Sequence, residues 1–211
     1  MDIKVFAQNA IEIISKGGLR IYIDPFKIES EYNGADVIFI THSHYDHFSP
    51  EDINKVRKED TKIVVTKDLY DKAISIGFEE KDILIVLPNI ESSILGINFS
   101  TIPAYNIDKD FHKREYDWVG YILNIDDNVI YVAGDTDITP EAMNITCDIA
   151  LVPIGGTYTM TAEEAVKLIE HIKPRRYAIP THYMTVVGTI TDAVTFARLL
   201  AGKVDVDIRY N

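Results

Sequence analysis

The 211-residue sequence has one cysteine, no long apolar run and no excess of basic residues. A single cysteine cannot form an internal disulfide or a thiolate-rich metal site. No apolar stretch approaches the roughly 20 residues that cross a bilayer. The amino terminus also lacks a basic segment followed by an apolar block, as a secretory signal would require. From these absences we expect a cytoplasmic protein without stable membrane insertion.

The charge balance narrows the range of partners. Asp and Glu number 33 against 21 Lys and Arg, which gives a formal net charge of −12. Such an acidic chain repels phosphate backbones, so we expect no nucleic-acid partner. The chain also lacks a Gly-x-Ser-x-Gly nucleophile elbow, a phosphate-binding glycine loop and a dinucleotide fingerprint. A small-molecule substrate is therefore the expected partner.

Short runs rich in Ile, Val and Tyr alternate with helical patterns along nearly the whole chain, which predicts a layered α/β protein. No linker or low-complexity tract divides the sequence, so we predict a single domain over residues 1–211. Strands are predicted within 3–26, with a turn at Gly17-Gly18, and at 37–40, 62–66, 83–87, 121–125, 129–133, 149–154, 177–180 and 204–209; helices are predicted from Ser49-Pro50 and at 68–76, 161–172 and 191–200.

The strongest chemical signal is a cluster of imidazoles and a carboxylate just after a predicted buried strand. Residues 41–47 read Thr-His-Ser-His-Tyr-Asp-His and hold three of the six histidines. If the backbone stays extended, His42 and His44 point to one side, because side chains alternate along a strand. Asp46 and His47 lie further along and can serve a second centre on that side. Imidazole and carboxylate suit Zn²⁺, and Mn²⁺ or Fe²⁺ are compatible with the same ligands.

Two further donors follow predicted strands in the same way. Asp135 comes after the strand 129–133, and His182 comes after the strand 177–180. In α/β sheets, functional groups gather beyond the carboxyl ends of strands, where loops converge on one crevice. Taken singly, Asp135 is also typical of a plain turn, and His182 of a core histidine. Their shared placement favours a metal site in which an aspartate supplies the negative charge that neutral imidazoles lack.

With these residues the chain resembles the metallo-β-lactamase superfamily of metal-dependent hydrolases. The resemblance is carried by His-x-His-x-Asp-His after a buried strand, a later Gly-Asp-Thr and a later lone histidine, and it covers nearly the whole chain. Segments 102–106, 118–121 and 133–137 are most similar to a compact branch. That branch includes the ascorbate-6-phosphate lactonase-like proteins and the phospholipase D that acts on N-acyl ethanolamine lipids. The resemblance implies a four-layer αββα sandwich with a binuclear site between two sheets.

The resemblance also implies a ligand set for two divalent metal ions, with Zn²⁺ preferred. The implied ligands are His42 and His44 for the first ion, Asp46, His47 and His182 for the second, and Asp135 as the bridge between them. Two ions about 3.5–4 Å apart depress the pKa of a shared water from 15.7 towards roughly 7. We therefore expect a hydrolase that attacks a carbonyl or phosphoryl centre. Asp46 and Asp135 are the candidate catalytic residues, and Asp46 is a candidate for returning the proton to the leaving group.

One position departs from the family pattern. Relatives carry a histidine, the third ligand of the first ion, where this chain has Asn106. An amide oxygen binds Zn²⁺ more weakly than imidazole does. His112, on the same loop, is the alternative ligand, although it is equally compatible with a solvated loop position. If neither side chain binds, the chain is a non-catalytic or mononuclear metal-binding protein of the same fold, and this second function stays open.

The remaining candidates have competing interpretations. Thr157 and Tyr158 follow the strand 149–154, so they are candidate substrate-binding residues, although this segment also fits a tight turn into the next helix. The mixed charges of loop 106–117 favour an ordinary surface loop over an anion-binding patch. Cys147 precedes a buried strand and is interpreted as a packed thiol.

The bond that is cleaved stays open at this point. Ester, lactone, thioester and phosphodiester hydrolysis use the same metal pair, and the branch resemblance favours phosphorylated or ester substrates. We expect neither β-lactam cleavage nor nucleic-acid processing. The sequence indicates no oligomeric state.

Overall fold

The computed structural model describes residues 1–29 and 34–209, and these residues form two compact units. We call residues 1–87 the N-terminal unit and residues 88–209 the C-terminal unit. Within the described ranges, each unit contains a six-stranded mixed sheet whose strands lie in chain order. Each sheet starts with antiparallel strands and continues with parallel ones. The single domain over 1–211 stays a prediction.

The sheet of the N-terminal unit begins with an antiparallel meander. The turn between its second and third strands closes through a hydrogen bond from Gly18 N to Ser15 O of 3.0 Å. Gly18 has φ +86°, a conformation that glycine adopts without strain. The third to sixth strands are parallel neighbours. The elements are β1 (Asp2–Val5), β2 (Ile11–Ile14), β3 (Arg20–Ile23), β4 (Ala35–Phe39), α1 (Pro50–Val56), β5 (Arg57–Thr66), α2 (Tyr70–Ser75) and β6 (Ile83–Val86).

Local signals explain the helix that follows β4. Ser49 is the N-cap of α1, with its hydroxyl accepting from Asp52 N at 3.3 Å, and Pro50 occupies the first turn. The apolar face of α1, Ile53 and Val56, packs against the sheet in a buried core that α2 joins through Ala73. The helix predicted at 68–76 is α2 preceded by one 3₁₀ turn at Lys67–Leu69.

The C-terminal unit has four antiparallel strands followed by two parallel ones. Helices α3 and α4 contribute Leu168, Ile169, Phe196 and Leu200 to its main buried core. Thr161 caps α3 in a capping box with Glu164. The elements are β7 (Glu91–Ile94), β8 (Ile97–Pro103), β9 (Val119–Ile125), β10 (Asn128–Val132), β11 (Ile149–Pro153), α3 (Ala162–Ile172), β12 (Tyr177–Thr181) and α4 (Ile190–Leu200).

The strand predicted at 204–209 is wrong. Val206 forms only an isolated parallel bridge to Ala178, with Ala178 N donating to Asp205 O and Asp207 N donating to Ala178 O. The next residue of β12 that faces this edge is Pro180, which has no N–H to donate. The ladder therefore cannot extend along this edge.

None of the helices within residues 1–29 and 34–209 has the length and apolar character needed to cross a membrane.

Candidate metal centre

The donors of the N-terminal unit follow the carboxyl ends of two parallel strands. Asp24 comes directly after β3, and the cluster 41–47 comes shortly after β4. His42 and His47 are almost fully buried, and Asp46 is also buried. These three side chains are therefore buried beyond the end of β4 and do not belong to a polar surface loop.

His42 and His44 hold their ring nitrogens at ligand spacing. His42 Nε2 lies 3.2 Å from His44 Nδ1. Two nitrogens that bind one tetrahedral Zn²⁺ at about 2.0–2.1 Å lie about 3.3 Å apart, so this pair fits a single ion. The prediction that these two side chains point to one side is confirmed.

Hydrogen bonds to Thr41 and Asp24 fix which nitrogen of each ring can bind a metal. The Thr41 hydroxyl donates to Asp24 Oδ2 at 2.6 Å, so it accepts from His42 Nδ1 at 3.0 Å. His47 Nδ1 donates to Asp24 Oδ2 at 2.7 Å. Both rings therefore carry their proton on Nδ1, which leaves Nε2 as the ligand nitrogen.

Asp24 is a functional residue that sequence reasoning missed. It is fully buried, and its carboxylate also accepts from Asn9 Nδ2 at 2.7 Å and from Thr41 N at 2.8 Å. Four donors on one carboxylate hold it in a single orientation beneath His47. The available signal was its place directly after a strand, the same rule that identified Asp135.

Asp46 lies on the Nε2 side of His47, whereas Asp24 contacts Nδ1. Asp46 Oδ2 is 3.8 Å from His47 Nε2 and accepts a hydrogen bond from Gln8 Nε2 at 3.3 Å. Gln8 is buried and has φ +54°, so the turn after β1 holds its side chain towards Asp46. The N-terminal unit thus presents two donor pairs, one from His42 and His44 and one from Asp46 and His47.

In the C-terminal unit, Asp135 and His182 follow β10 and β12, which both lie parallel to β11. Asp135 Oδ2 lies 3.2 Å from His182 Nε2, and both side chains are almost fully buried. His182 has φ +56°, a left-handed conformation that is uncommon for residues other than glycine. The prediction that these two residues converge is confirmed.

His112, and not Asn106, lies beside Asp135. His112 Nε2 is 3.2 Å from the same Asp135 Oδ2, and the ring is buried. The solvated-loop interpretation of His112 is therefore wrong. The same carboxylate oxygen, Asp135 Oδ2, therefore lies 3.2 Å from both His112 Nε2 and His182 Nε2.

Asn106 lies behind His112. Its Nδ2 donates to Tyr158 O at 2.7 Å and lies 3.2 Å from His112 Nδ1. The buried Asn106 Oδ1 has no hydrogen-bond partner among the residues that the structure describes. The Asn106 amide group therefore contacts the His112 ring from the side away from Asp135, which suits a positioning residue.

The loop that carries His112 is fixed at two points. Lys109 pairs with Asp137, which also accepts from Ile107 N at 2.9 Å. Arg114 Nη2 donates to Glu141 Oε1 at 2.6 Å. These contacts agree with the prediction of a charged loop that does not form an anion-binding patch.

Of the two candidate substrate-binding residues, Tyr158 contacts Asn106 through its backbone oxygen, and Thr157 precedes it in the chain. Thr157 is exposed with φ +50°, and Tyr158 is half-buried, with its ring edge-on to Phe111 at 4.7 Å. Their contact with substrate stays a prediction.

Cys147 is buried, and burial raises the pKa of its thiol to about 12, so it is not a nucleophile at neutral pH.

The chain also matches a known protein family. Residues 2–182 match the family model described as the Beta-lactamase superfamily domain. The chain belongs to the metallo-β-lactamase superfamily. The match includes every candidate ligand named above, from His42 to His182, which confirms the family resemblance inferred from sequence.

Relatives of this superfamily member are similar along nearly their whole length. A UPF0173 metal-dependent hydrolase from Thermococcus kodakarensis is 32% identical over 219 residues, with 98% of this chain and 96% of the relative covered. A UPF0173 metal-dependent hydrolase from Pyrococcus horikoshii is 33% identical over 208 residues, with 92% of this chain and 90% of the relative covered.

Solved structures confirm the fold. A protein from Parabacteroides distasonis, assigned as a metal-dependent hydrolase, is 27% identical with a TM-score of 0.83, and 98% of this chain and 91% of that chain are covered. The chain therefore has the metallo-β-lactamase fold, with mixed sheets and helices, as predicted.

Replacing Asp24 by Asn tests whether it sets the ring proton of His47. Thr41 N needs an acceptor, so the new amide NH₂ would face His47 Nδ1 and donate to it. His47 would then carry its proton on Nε2 and lose its ligand lone pair. We expect Zn²⁺ affinity to fall by about 10- to 100-fold, measured by competition titration with a chromophoric chelator.

The matched control is Asp36→Asn, which removes a carboxylate from β4 that accepts from Arg20 N at 2.7 Å. This variant should keep the parent affinity. Equal affinity for Zn²⁺ in Asp24→Asn and the parent protein would contradict the assigned role.

Proposed function

We propose that the chain is a metal-dependent hydrolase that binds two divalent ions, with Zn²⁺ preferred. The observation that carries the proposal is the pairing of donors. Asp135 Oδ2 is 3.2 Å from both His112 and His182, and His42 and His44 hold nitrogens at the same separation. The names of the relatives, metal-dependent hydrolases, support the same class of function.

The proposed ligand set revises the sequence-based one at a single position. His112 takes the place of the missing third imidazole, and Asn106 becomes its positioning residue. This assignment supports the hydrolase over the non-catalytic or mononuclear alternative, because that alternative depended on the absence of a third imidazole. The proposed ligands are His42, His44, Asp46 and His47 of the N-terminal unit and His112, Asp135 and His182 of the C-terminal unit.

When bound at such a site, a pair of divalent ions lowers the pKa of water and polarises a carbonyl or phosphoryl oxygen. The residues of the chain orient the metal ligands and supply negative charge to balance that of the ions. Asp24 and Thr41 hold the imidazoles in the correct tautomer, and Asp135 supplies a shared negative charge. Asp46, held by Gln8, is the candidate for returning a proton to the leaving group. Thr157 and Tyr158 are the proposed contacts to substrate.

The proposed substrate is a small molecule with an ester, lactone or phosphodiester-type bond. A cytoplasmic location and the lack of nucleic-acid partners stay predictions from composition and charge.

Alanine substitution of His112 tests the revised ligand set. We expect His112→Ala to bind one fewer ion per chain, because one site loses an imidazole. Asn106→Ala should keep both ions at reduced affinity, by about 10- to 100-fold, because it removes a group that only orients the ring. Elemental analysis after dialysis against Zn²⁺ measures the stoichiometry, and a screen of ester, lactone and phosphodiester probes measures hydrolysis.

His171, an exposed residue near the carboxyl end of α3, provides the matched control His171→Ala. This variant should retain the ions and the activity of the parent chain. Full metal content in His112→Ala would contradict the assignment, and a metal-loaded parent chain that hydrolyses no probe would contradict the hydrolase.

A further inference from the structure

Exposed apolar side chains flank the metal-ligand candidates of the C-terminal unit. Ile107 and Phe111 lie on the loop that carries His112 and are 54% and 45% exposed. Met184 and Val186, on the segment after β12, are 43% and 42% exposed. Tyr158 lies on the loop after β11. The apolar rim is defined as Ile107, Phe111, Tyr158, Met184 and Val186.

Contacts join the three loops that carry the apolar rim. The rings of Phe111 and Tyr158 pack edge-on at 4.7 Å, and Asn106 Nδ2 donates to Tyr158 O. Gly155, on the loop of Tyr158, packs so closely on the segment after β12 that a Cβ there would lie 2.8 Å from Val187 Cγ2. The apolar side chains therefore stand on neighbouring loops and are not scattered over the surface, as single exposed apolar residues usually are.

The same loops offer little to bind a charged phosphate. Lys109 is paired with Asp137, and Arg114 is paired with Glu141. Lys113 is the one cation of the His112 loop without an ion pair among the described residues. The other two loops of the apolar rim contain no charged residue. The proposed metal ions would balance charge at the reacting group itself, but the apolar rim supplies no further cation for a charged group elsewhere on the substrate, so the parts of the substrate that pack on it should be uncharged.

We infer that the substrate is an uncharged carboxylic ester or lactone with an apolar acyl group that packs on the apolar rim. This inference rests on the proposed hydrolase function and selects among its bond types. The reaction adds water across the acyl C–O bond. The water oxygen bonds to the acyl carbon, the C–O bond to the leaving oxygen breaks, and the leaving oxygen takes a proton.

The test measures the kcat/KM of the zinc-reconstituted chain for four 4-nitrophenyl esters and for bis(4-nitrophenyl) phosphate. The four esters are the acetate, butyrate, hexanoate and octanoate. We expect kcat/KM to rise about two- to fourfold for each added methylene, the range for partial to full burial, and the phosphate diester to be the poorest probe. Binding of N-octylacetamide, which is not readily hydrolysed, gives a readout independent of activity. It is followed by fluorescence of the single tryptophan, Trp118, whose ring lies 5.6 Å from that of His112.

Phe111→Ser and Met184→Ser should each raise KM for the octanoate several-fold and leave KM for the acetate unchanged. Leu95→Ser is the matched control, because Leu95 is 48% exposed at the turn before β8, at the opposite end of that strand from Asn106. Two variants on different loops keep the test valid if one of them fails to fold.

The outcomes separate this inference from the proposed function. Three outcomes would overturn the inference and leave the proposed hydrolase function intact. They are a kcat/KM that does not depend on acyl length, a preference for the phosphate diester, and variants of the apolar rim that behave like Leu95→Ser. If the parent chain self-associates and Phe111→Ser abolishes this without changing the dependence of kcat/KM on acyl length, the inference is also overturned, because the apolar rim is then an interface between copies. A metal-loaded chain inactive on every probe would instead overturn the hydrolase.

Discussion

Asp135→Asn is expected to lose most of the bound metal and to reduce hydrolysis by at least about 100-fold. Asp135 Oδ2 lies 3.2 Å from both His112 Nε2 and His182 Nε2, and the carboxylate is buried. The amide keeps the shape of the side chain but removes the negative charge that both ions would share. Substitution of groups that only orient a ligand costs about 10- to 100-fold, so loss of a shared ligand should cost more. Elemental analysis and the absorption spectrum of the Co²⁺-substituted chain measure the result.

Asp127→Asn is the matched control for this substitution. Asp127 is exposed in the turn between β9 and β10 and has φ +63°, a conformation that Asn tolerates well. It should retain the metal content and activity of the parent. If Asp135→Asn kept two ions per chain and parent activity, the shared carboxylate would have no role in binding, and the proposed centre would be wrong.

Local sequence signals predict most of the fold, because most elements are set by residues within them. Ser49 and Pro50 mark the start of α1, and Thr161 with Glu164 marks the start of α3. The strand predicted at 204–209 fails for the opposite reason. Its partner edge is β12, and Pro180, far away in sequence, limits the hydrogen bonds that this edge can form.

The candidate site also contains residues that local sequence predicts and residues whose positions depend on distant contacts. Three histidines in one short segment are visible in any reading of the sequence, and Asp135 and His182 follow from their places after strands. The choice between Asn106 and His112 depends on the path of a loop. Ion pairs with distant carboxylates fix that path, and no local pattern encodes them.

Asp24 shows a further limit of sequence reasoning. Its role depends on donors from two separate segments, because Asn9 lies after β1, and Thr41 and His47 lie in the cluster 41–47. A single aspartate after a strand is too common a pattern to identify such a carboxylate. The strand-end rule finds candidates, and only the three-dimensional contacts distinguish a positioning residue from a turn residue.

Gly155→Ala should lower both stability and metal binding, although Gly155 is not itself a ligand. A Cβ at Gly155 would lie 2.2 Å from His182 O and 2.8 Å from Val187 Cγ2, so the backbone that carries His182 must move. Overpacking of this kind costs about 1–3 kcal/mol, which corresponds to a fall in Tm of roughly 2–12 °C for a chain of this size. Displacement of His182 should also weaken metal binding, and a misplacement of about 1 Å costs activity about 100-fold.

Two further variants separate steric displacement from a general effect of adding a methyl group. Gly17→Ala is the matched control, because a Cβ there would meet only Ser15 Oγ, at 3.8 Å.

Gly155→Ala combined with Val187→Ala relieves the side-chain clash but leaves the clash with His182 O. The double variant should therefore recover part of the Tm without recovering metal content. Recovery of both together would show that Val187, and not the His182 backbone, transmits the effect. Parent metal content in Gly155→Ala alone would show that the position of His182 does not depend on this close approach.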